Sequence, residues 1–227
     1  MILYANGCSY TSGCELEGPN VGDSQYNKDR AWPSILAKKL GAKVINESKA
    51  GGSNDRIVRT TLDWILNNSS TEELLVVIGW TDPYRSEIKI DGKYIHLCSA
   101  FLQDKKNKVL KEAHRHFTAF YCDDSYAQPK KVHQIILMQD FLKFHRIKYF
   151  FFNSILPIYT KYSKNPSIRQ NIDVKYYLDP FDIKRSMMNR VFRIFKPVEW
   201  GTHPEEAGHK YWGNILYSEI KKRRIIK

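Results

Sequence analysis

The six residues Leu74-Leu75-Val76-Val77-Ile78-Gly79 set the tightest limit on what this chain can become. A strand with one face in water alternates apolar and polar side chains. An unbroken apolar run of strand length suits a strand covered on both faces, as in a parallel sheet. Lys148-Tyr149-Phe150-Phe151-Phe152-Asn153 repeats the pattern. Residues 1–8 read as a shorter buried strand, ended by Gly7 and a polar turn, and Lys43-Val44-Ile45-Asn46 as another.

Helical spacing fills the gaps. Residues 32–40 carry Ile35, Leu36 and Leu40 on one face, with Pro33 suited to the first turn and Gly41 to the stop. Ile57, Val58, Thr61, Leu62, Ile65 and Leu66 mark a second helix, for which Ser53 or Asn54 is the cap. Residues 132–145 form a third, and residues 205–224 a last one, with Lys222-Arg223-Arg224 where the helix dipole favours cations. Residues 14–30 and 157–185 read as loops. This alternation implies an α/β protein with right-handed crossovers around a parallel sheet.

Residues 84–130 interrupt the alternation. Glu87 to Leu97 suits a hairpin on an Asp91-Gly92 turn, and a polar, helical stretch follows. The expectation is one domain, residues 1–227, with an insertion at about 84–130 after the third strand. A chain of 227 residues is long enough to bury a core without metal or disulfide staples. Cys8, Cys14, Cys98 and Cys122 are scattered and make no C-x-x-C pair, so no zinc knuckle is expected. No signal-peptide pattern and no membrane-length apolar run is seen, which favours a cytoplasmic protein with reduced thiols.

Charge divides unevenly. The net charge is +12, but residues 1–100 carry a net of −1 and residues 101–227 a net of +13. Such a field favours anionic partners such as nucleic acid, an acidic glycan or a phosphate-bearing substrate, and it equally serves solubility. Tyr159-Thr160-Lys161-Tyr162-Ser163-Lys164 interleaves rings with cations, as segments that stack bases or sugars do, and as ordinary basic loops do.

In an open parallel sheet, sites form beyond the carboxyl ends of the strands. Three polar clusters fall there: Gly7-Cys8-Ser9, Gly51-Gly52-Ser53-Asn54 and Gly79-Trp80-Thr81-Asp82. A fourth, Gly201-Thr202-His203-Pro204, precedes the last helix. A serine, a histidine and glycine-bearing turns on converging loops suit acyl transfer. The hydroxyl needs a base to take its proton, and the oxyanion needs donors already aimed at it.

At these residues the chain resembles the SGNH hydrolases, also called the GDSL family. Gly7-Cys8-Ser9 with Ser12-Gly13 matches the first motif, Gly-Asp-Ser. Asn46 with Gly51, or with Gly52, matches the second. Gly79-Trp80-Thr81-Asp82 stands for Gly-x-Asn-Asp, and His203-Pro204, with Gly208 after it, for the end of Asp-x-x-His. The resemblance implies a flavodoxin-like, three-layer α/β/α SGNH-hydrolase fold with a central parallel sheet, and a serine esterase without metal or organic cofactor. Ser9 would be the nucleophile, His203 the general base, and the Ser9 and Gly51 N–H groups with the Thr81 hydroxyl the oxyanion hole. Gly52, Asn54, Asp82 and Glu199 are possible supporting residues.

The sequence departs from the family in three places. Cys8 replaces the first-motif aspartate, Thr81 the oxyanion-hole asparagine, and Trp200 the aspartate three residues before the histidine. The base is therefore oriented by a backbone carbonyl, by Glu199 or by an acid from elsewhere. The expected substrate is an ester with a small acyl group, acetyl for example, on a glycan or anionic molecule. The alternative is an inactive SGNH-like fold that binds nucleic acid or another anion through the basic residues 101–227. Some similar short proteins are encoded by large bacteriophages, where the host cytoplasm would be the compartment. His209, six residues after His203, reads as a surface or packing histidine.

Overall fold

The computed structural model of the chain describes residues 1–68, 73–97, 108–159 and 164–226. Cys98 and residues 160–163 of the Tyr/Lys stretch lie outside them. Five parallel strands form the central sheet: β1 (Ile2–Asn6), β2 (Lys43–Asn46), β3 (Leu74–Trp80), β6 (Lys148–Asn153) and β7 (Tyr177–Leu178). Their order is β2-β1-β3-β6-β7. Chain order thus reverses between β1 and β3, the arrangement that opens a crevice at the carboxyl ends of those two strands.

Both faces of the sheet are covered, as the unbroken apolar runs require. Leu3, Leu75, Val77, Phe150 and Phe152 point to one side. There they pack on Trp32 and Leu36 of α3 (Trp32–Leu40) and on Trp212, Leu216 and Ile220 of α9 (Glu206–Lys222). The Phe152 ring meets Trp32 and Trp212 edge-on, with centroids 5.3 and 5.2 Å apart. Tyr4, Val76, Ile78, Tyr149 and Phe151 point the other way. They pack on Ile57 of α4 (Asn54–Asn67) and on Val132, Ile135, Met138 and Leu142 of α6 (Asp124–Phe144). Residues 75/77 and 76/78 thus fall into different cores, the two-residue period of a strand.

Of the two caps considered for α4, Ser53 is the one used; its side chain accepts the Arg56 N–H. The hairpin forms as β4 (Ser86–Ile90) and β5 (Lys93–Leu97), a separate two-stranded sheet. Asp91 and Gly92 both have positive φ, as a tight hairpin turn demands. Helix α5 (Lys108–Tyr121) follows.

Three regions differ from expectation. Residues 14–30 are not all loop: after one-turn α1 (Ser9–Ser12), α2 (Gln25–Arg30) starts on a Ser24 cap within them. Helix α6 begins at Asp124, eight residues early, and carries Pro129 inside it. It therefore runs straight through position 130. The region 157–185 contains α7 (Pro166–Asn171) and the fifth strand, and α8 (Met187–Val191) follows it. β7 escaped notice because two residues show no periodicity. Among the described residues, no helix is long and apolar enough to cross a membrane.

Candidate active site

β1 ends at Asn6, and its chain turns at once into α1. Gly7 makes that turn possible. A Cβ there would overlap the Thr11 hydroxyl and come within 3.1 Å of the Gly79 carbonyl at the end of β3. Cys8 is the extended residue before the helix, and its carbonyl accepts the N–H groups of Thr11 (2.8 Å) and Ser12 (3.1 Å). Ser9 is therefore the first helical residue, and its N–H has no partner within the helix.

The second loop follows β2. Asn46 ties it to the first by donating to the Thr11 carbonyl at 3.3 Å. Gly51 has φ 72°. The third loop follows β3 and is held by Asn54, whose Oδ1 accepts the Thr81 N–H at 2.9 Å and whose Nδ2 donates to the Thr81 carbonyl at 3.4 Å. Asp82 accepts the Tyr84 N–H at 2.9 Å.

These loops and the turn before α9 enclose a cavity of about 380 Å³. Ser9, Tyr10, Cys14, Gly51, Asp82, Arg85 and His203 line it, with Ala50, Ile155, Met188 and Thr202 as its other walls. Ser9, Gly51, Asp82 and His203 are thus brought to one space from four separate loops. Thr81 is not: it is fully buried, outside the cavity wall, and its Oγ1 has no hydrogen-bond partner. Gly52 and Asn54 stand behind the cavity as packing and loop-holding residues. Glu199 is exposed and does not line the cavity.

The acid that meets the histidine is Glu15, which sequence reasoning did not single out. Its Oε2 lies 2.8 Å from His203 Nδ1 and also accepts the backbone N–H groups of Thr202 (3.0 Å) and His203 (3.3 Å). A carboxylate only accepts, so Nδ1 carries the proton and Nε2 is left as the basic nitrogen. Burial works to raise the Glu15 pKa. The hydrogen bond and charge of His203, with the two N–H donors, outweigh it and hold the carboxyl below its ordinary value.

Glu15 sits in the left-handed region at φ 71°, which a side chain seldom adopts. Its backbone is fixed from both sides: its N–H donates to the Val21 carbonyl at 2.8 Å, and its carbonyl accepts the Trp200 indole N–H at 2.9 Å. Trp200, which occupies the place of the family aspartate, therefore grips the residue that supplies the acid. An acid six residues after the serine, combined with the missing aspartate, was the available signal.

Gly201 is the other contact that shapes this pair. A Cβ at that position would overlap the Glu15 carboxyl group. Gly201→Ala is expected to push Glu15 off His203 and remove the low-field proton signal of the His203 Nδ1–H, with the melting temperature shifted by only a few degrees. An unchanged proton spectrum in that variant would show that the contact is idle.

Cys14 Sγ, the Glu15 carboxylate and His203 also lie within 4.8 Å of one another, the spacing of a possible cation site. Burial pushes the Cys14 thiol up to about 12, so at neutral pH it is a protonated, poor ligand. Glu15 Oε2 already accepts three N–H groups. A cation would have to displace these protons, so the donor set fits a hydrogen-bonded charge pair better than a metal centre.

A parallel sheet in this order, with a serine turn after β1 and a histidine turn before the last helix, defines the fold class of the SGNH/GDSL proteins, and solved structures agree. A protein assigned to the lipolytic G-D-S-L family from Desulfitobacterium hafniense DCB-2 aligns over 99% of both chains, with a TM-score of 0.51 and 13% identity. The esterase EstA from Pseudoalteromonas sp. aligns over 97% of both chains, with a TM-score of 0.50 and 11% identity. An active-site mutant of a family two carbohydrate esterase from Clostridium thermocellum gives a TM-score of 0.54 and 13% identity, over 97% of this chain and 63% of that one. At these identities the likeness is one of fold. By sequence the chain belongs to a family of unknown function, DUF6071, whose model matches residues 16–227. No curated protein matches it.

Proposed function

We propose that this chain is a serine hydrolase that cleaves a carboxylic ester through an acyl-enzyme. One observation carries the reading: a histidine whose Nδ1 is held by a carboxylate at 2.8 Å lines the same small cavity as a serine at the start of a helix. That arrangement leaves Nε2 free to act as base and stabilises the imidazolium that forms. Ser9 Oγ attacks the ester carbonyl as His203 takes its proton. The bond to the leaving alcohol breaks as His203 returns the proton to it. Water, deprotonated by His203, then releases the acid.

The oxyanion is met by the N–H groups of Ser9 and Gly51. Thr81 lies behind the wall, so the hole has two backbone donors and lacks the third, side-chain donor of the family pattern. A missing donor is worth about 2.7–4 kcal/mol in other serine hydrolases, so turnover of simple esters is expected to be slow.

The cavity suits a small acyl group such as acetyl, and an ester on a glycan is the substrate class that the carbohydrate esterase among the structural relatives suggests. Among the described residues Arg85 is the one lysine or arginine in its lining, and it does not belong to the basic residues 101–227.

The test is labelling with a fluorophosphonate and peptide mapping by mass spectrometry. Modification at Ser9, slowed when p-nitrophenyl acetate is present in excess, is the expected result. A label elsewhere, or none while the protein remains folded, removes the proposal.

A further inference from the structure

The mechanism above gives Arg85 no task, yet its side chain lines the same cavity as Ser9 and His203. It follows the third loop, immediately before β4. Its Nη1 is shut off from solvent and has no hydrogen-bond partner, and Arg85 enters no ion pair among the described residues. No described residue accepts a hydrogen bond from the Arg85 guanidinium, so its solvent-facing N–H groups keep their donor capacity for a ligand in the cavity.

The acids nearby are committed elsewhere. Glu15 is bound to His203 and the backbone around it. Asp82, which also lines the cavity wall, accepts the Tyr84 N–H and makes no ion pair with Arg85. Among the described residues no carboxylate lies within ion-pair distance of the guanidinium, so its positive charge has no direct partner. Tyr10, with its ring 5.3 Å from that of His203, lies in the same wall and feels the Arg85 charge.

We propose that Arg85 binds a carboxylate on the ester substrate, so that the cavity selects esters carrying one negative charge. This rests on the serine-hydrolase reading of the same cavity and deepens it. A planar guanidinium matches a carboxylate with two parallel N–H···O bonds, and one uncompensated cation balances one negative charge rather than the two of a phosphate monoester. The selecting charge comes from the near-neutral first hundred residues, not from the basic remainder of the chain.

The carboxylate can sit on the alcohol or on the acyl part, and two matched pairs separate these. 4-Acetoxybenzoate against 4-acetoxybenzamide reports the alcohol side. 4-Nitrophenyl hydrogen adipate against its methyl ester reports the acyl side. Binding is measured by calorimetry on Ser9→Ala protein, which makes the result independent of turnover.

The charged member of one pair is expected to bind at least about 10-fold tighter, with the preference falling below about twofold when Arg85→Gln is added. Arg85→Lys, which keeps charge but loses the fork, is expected to retain part of it. Equal binding within both pairs, or a preference that survives Arg85→Gln, overturns the proposal. The hydrolase reading fails by different observations: wild-type protein that turns over none of the four esters and takes no label at Ser9.

Discussion

Ser9→Ala is expected to lower kcat on p-nitrophenyl acetate by at least about 10⁴-fold, and His203→Ala by a similar factor. The two losses are not expected to add. Once the hydroxyl is gone the base has no proton to take, so Ser9→Ala/His203→Ala should be no slower than either single variant. Glu15→Gln keeps the size of the side chain but replaces an acceptor-only group with an amide that can also donate. The Nδ1–H tautomer is then no longer enforced, and the positive charge that develops on the ring loses its partner at 2.8 Å.

A loss of about 10²- to 10⁴-fold in kcat, with KM changed by less than about threefold, is the expected signature of a group that acts through the histidine. Steady-state kinetics on the five proteins decide the matter. Losses in Ser9→Ala and His203→Ala that multiply in the double variant would mean that the two residues act on separate steps, and the dyad would have to be abandoned.

The parts of the fold that were legible in the sequence are those where one physical rule dominates. Unbroken apolar runs gave the sheet because burial on both faces leaves no position for a polar residue. Helices α3 and α4 were visible from their apolar stripes and their Pro33 and Ser53 starts. Helix α6 was seen only from residue 132, because Pro129 and the polar residues before it resemble a boundary. The structure absorbs that proline inside the helix, and Gln128 and Lys131 are buried against the sheet side.

The candidate site was legible to a different degree. Ser9, Gly51, Asp82 and His203 sit on loops that follow strands or precede the last helix, so topology alone brings them together. Glu15 and Arg85 belong to no periodic element and no spaced motif. Glu15 depends on a left-handed backbone turn and on the Trp200 indole, which are long-range properties. Thr81 was placed by analogy with an asparagine, but a shorter side chain on the same backbone stays within the wall. It leaves Asn54 to hold the loop through its backbone.

Stability should rise with pH through two separate windows, and one buried basic side chain contributes most in each. His209 lies on the α9 face toward α3. Its Nδ1 accepts the Trp32 N–H at 3.3 Å, and its Nε2 is shut off from solvent without a partner. Burial, with a smaller contribution from the His203 charge, lowers its pKa from 6.5 to about 3. The unfolded chain therefore takes up a proton below pH 6.5 that the folded chain refuses, and folding weakens by roughly 1 kcal/mol for each pH unit below that, a few kcal/mol by pH 4.5.

Lys131 acts at the other end. Burial lowers its pKa from 10.5 to about 7, against the opposing charge of Asp82. From pH 7 to about 10 the unfolded chain holds the extra proton, so stability climbs with pH at a similar slope. Above pH 10 the buried tyrosines reverse the trend, because Tyr4, pushed up to about 12, stays neutral while the unfolded chain ionises. Urea denaturation between pH 4.5 and 9.5 measures both slopes. His209→Gln keeps an acceptor for Trp32 but does not titrate, and should flatten the acid slope alone. Lys131→Met should flatten the alkaline slope alone. If both slopes persist in both variants, the proton uptake on unfolding belongs to other groups, and neither buried side chain controls the pH range of the fold.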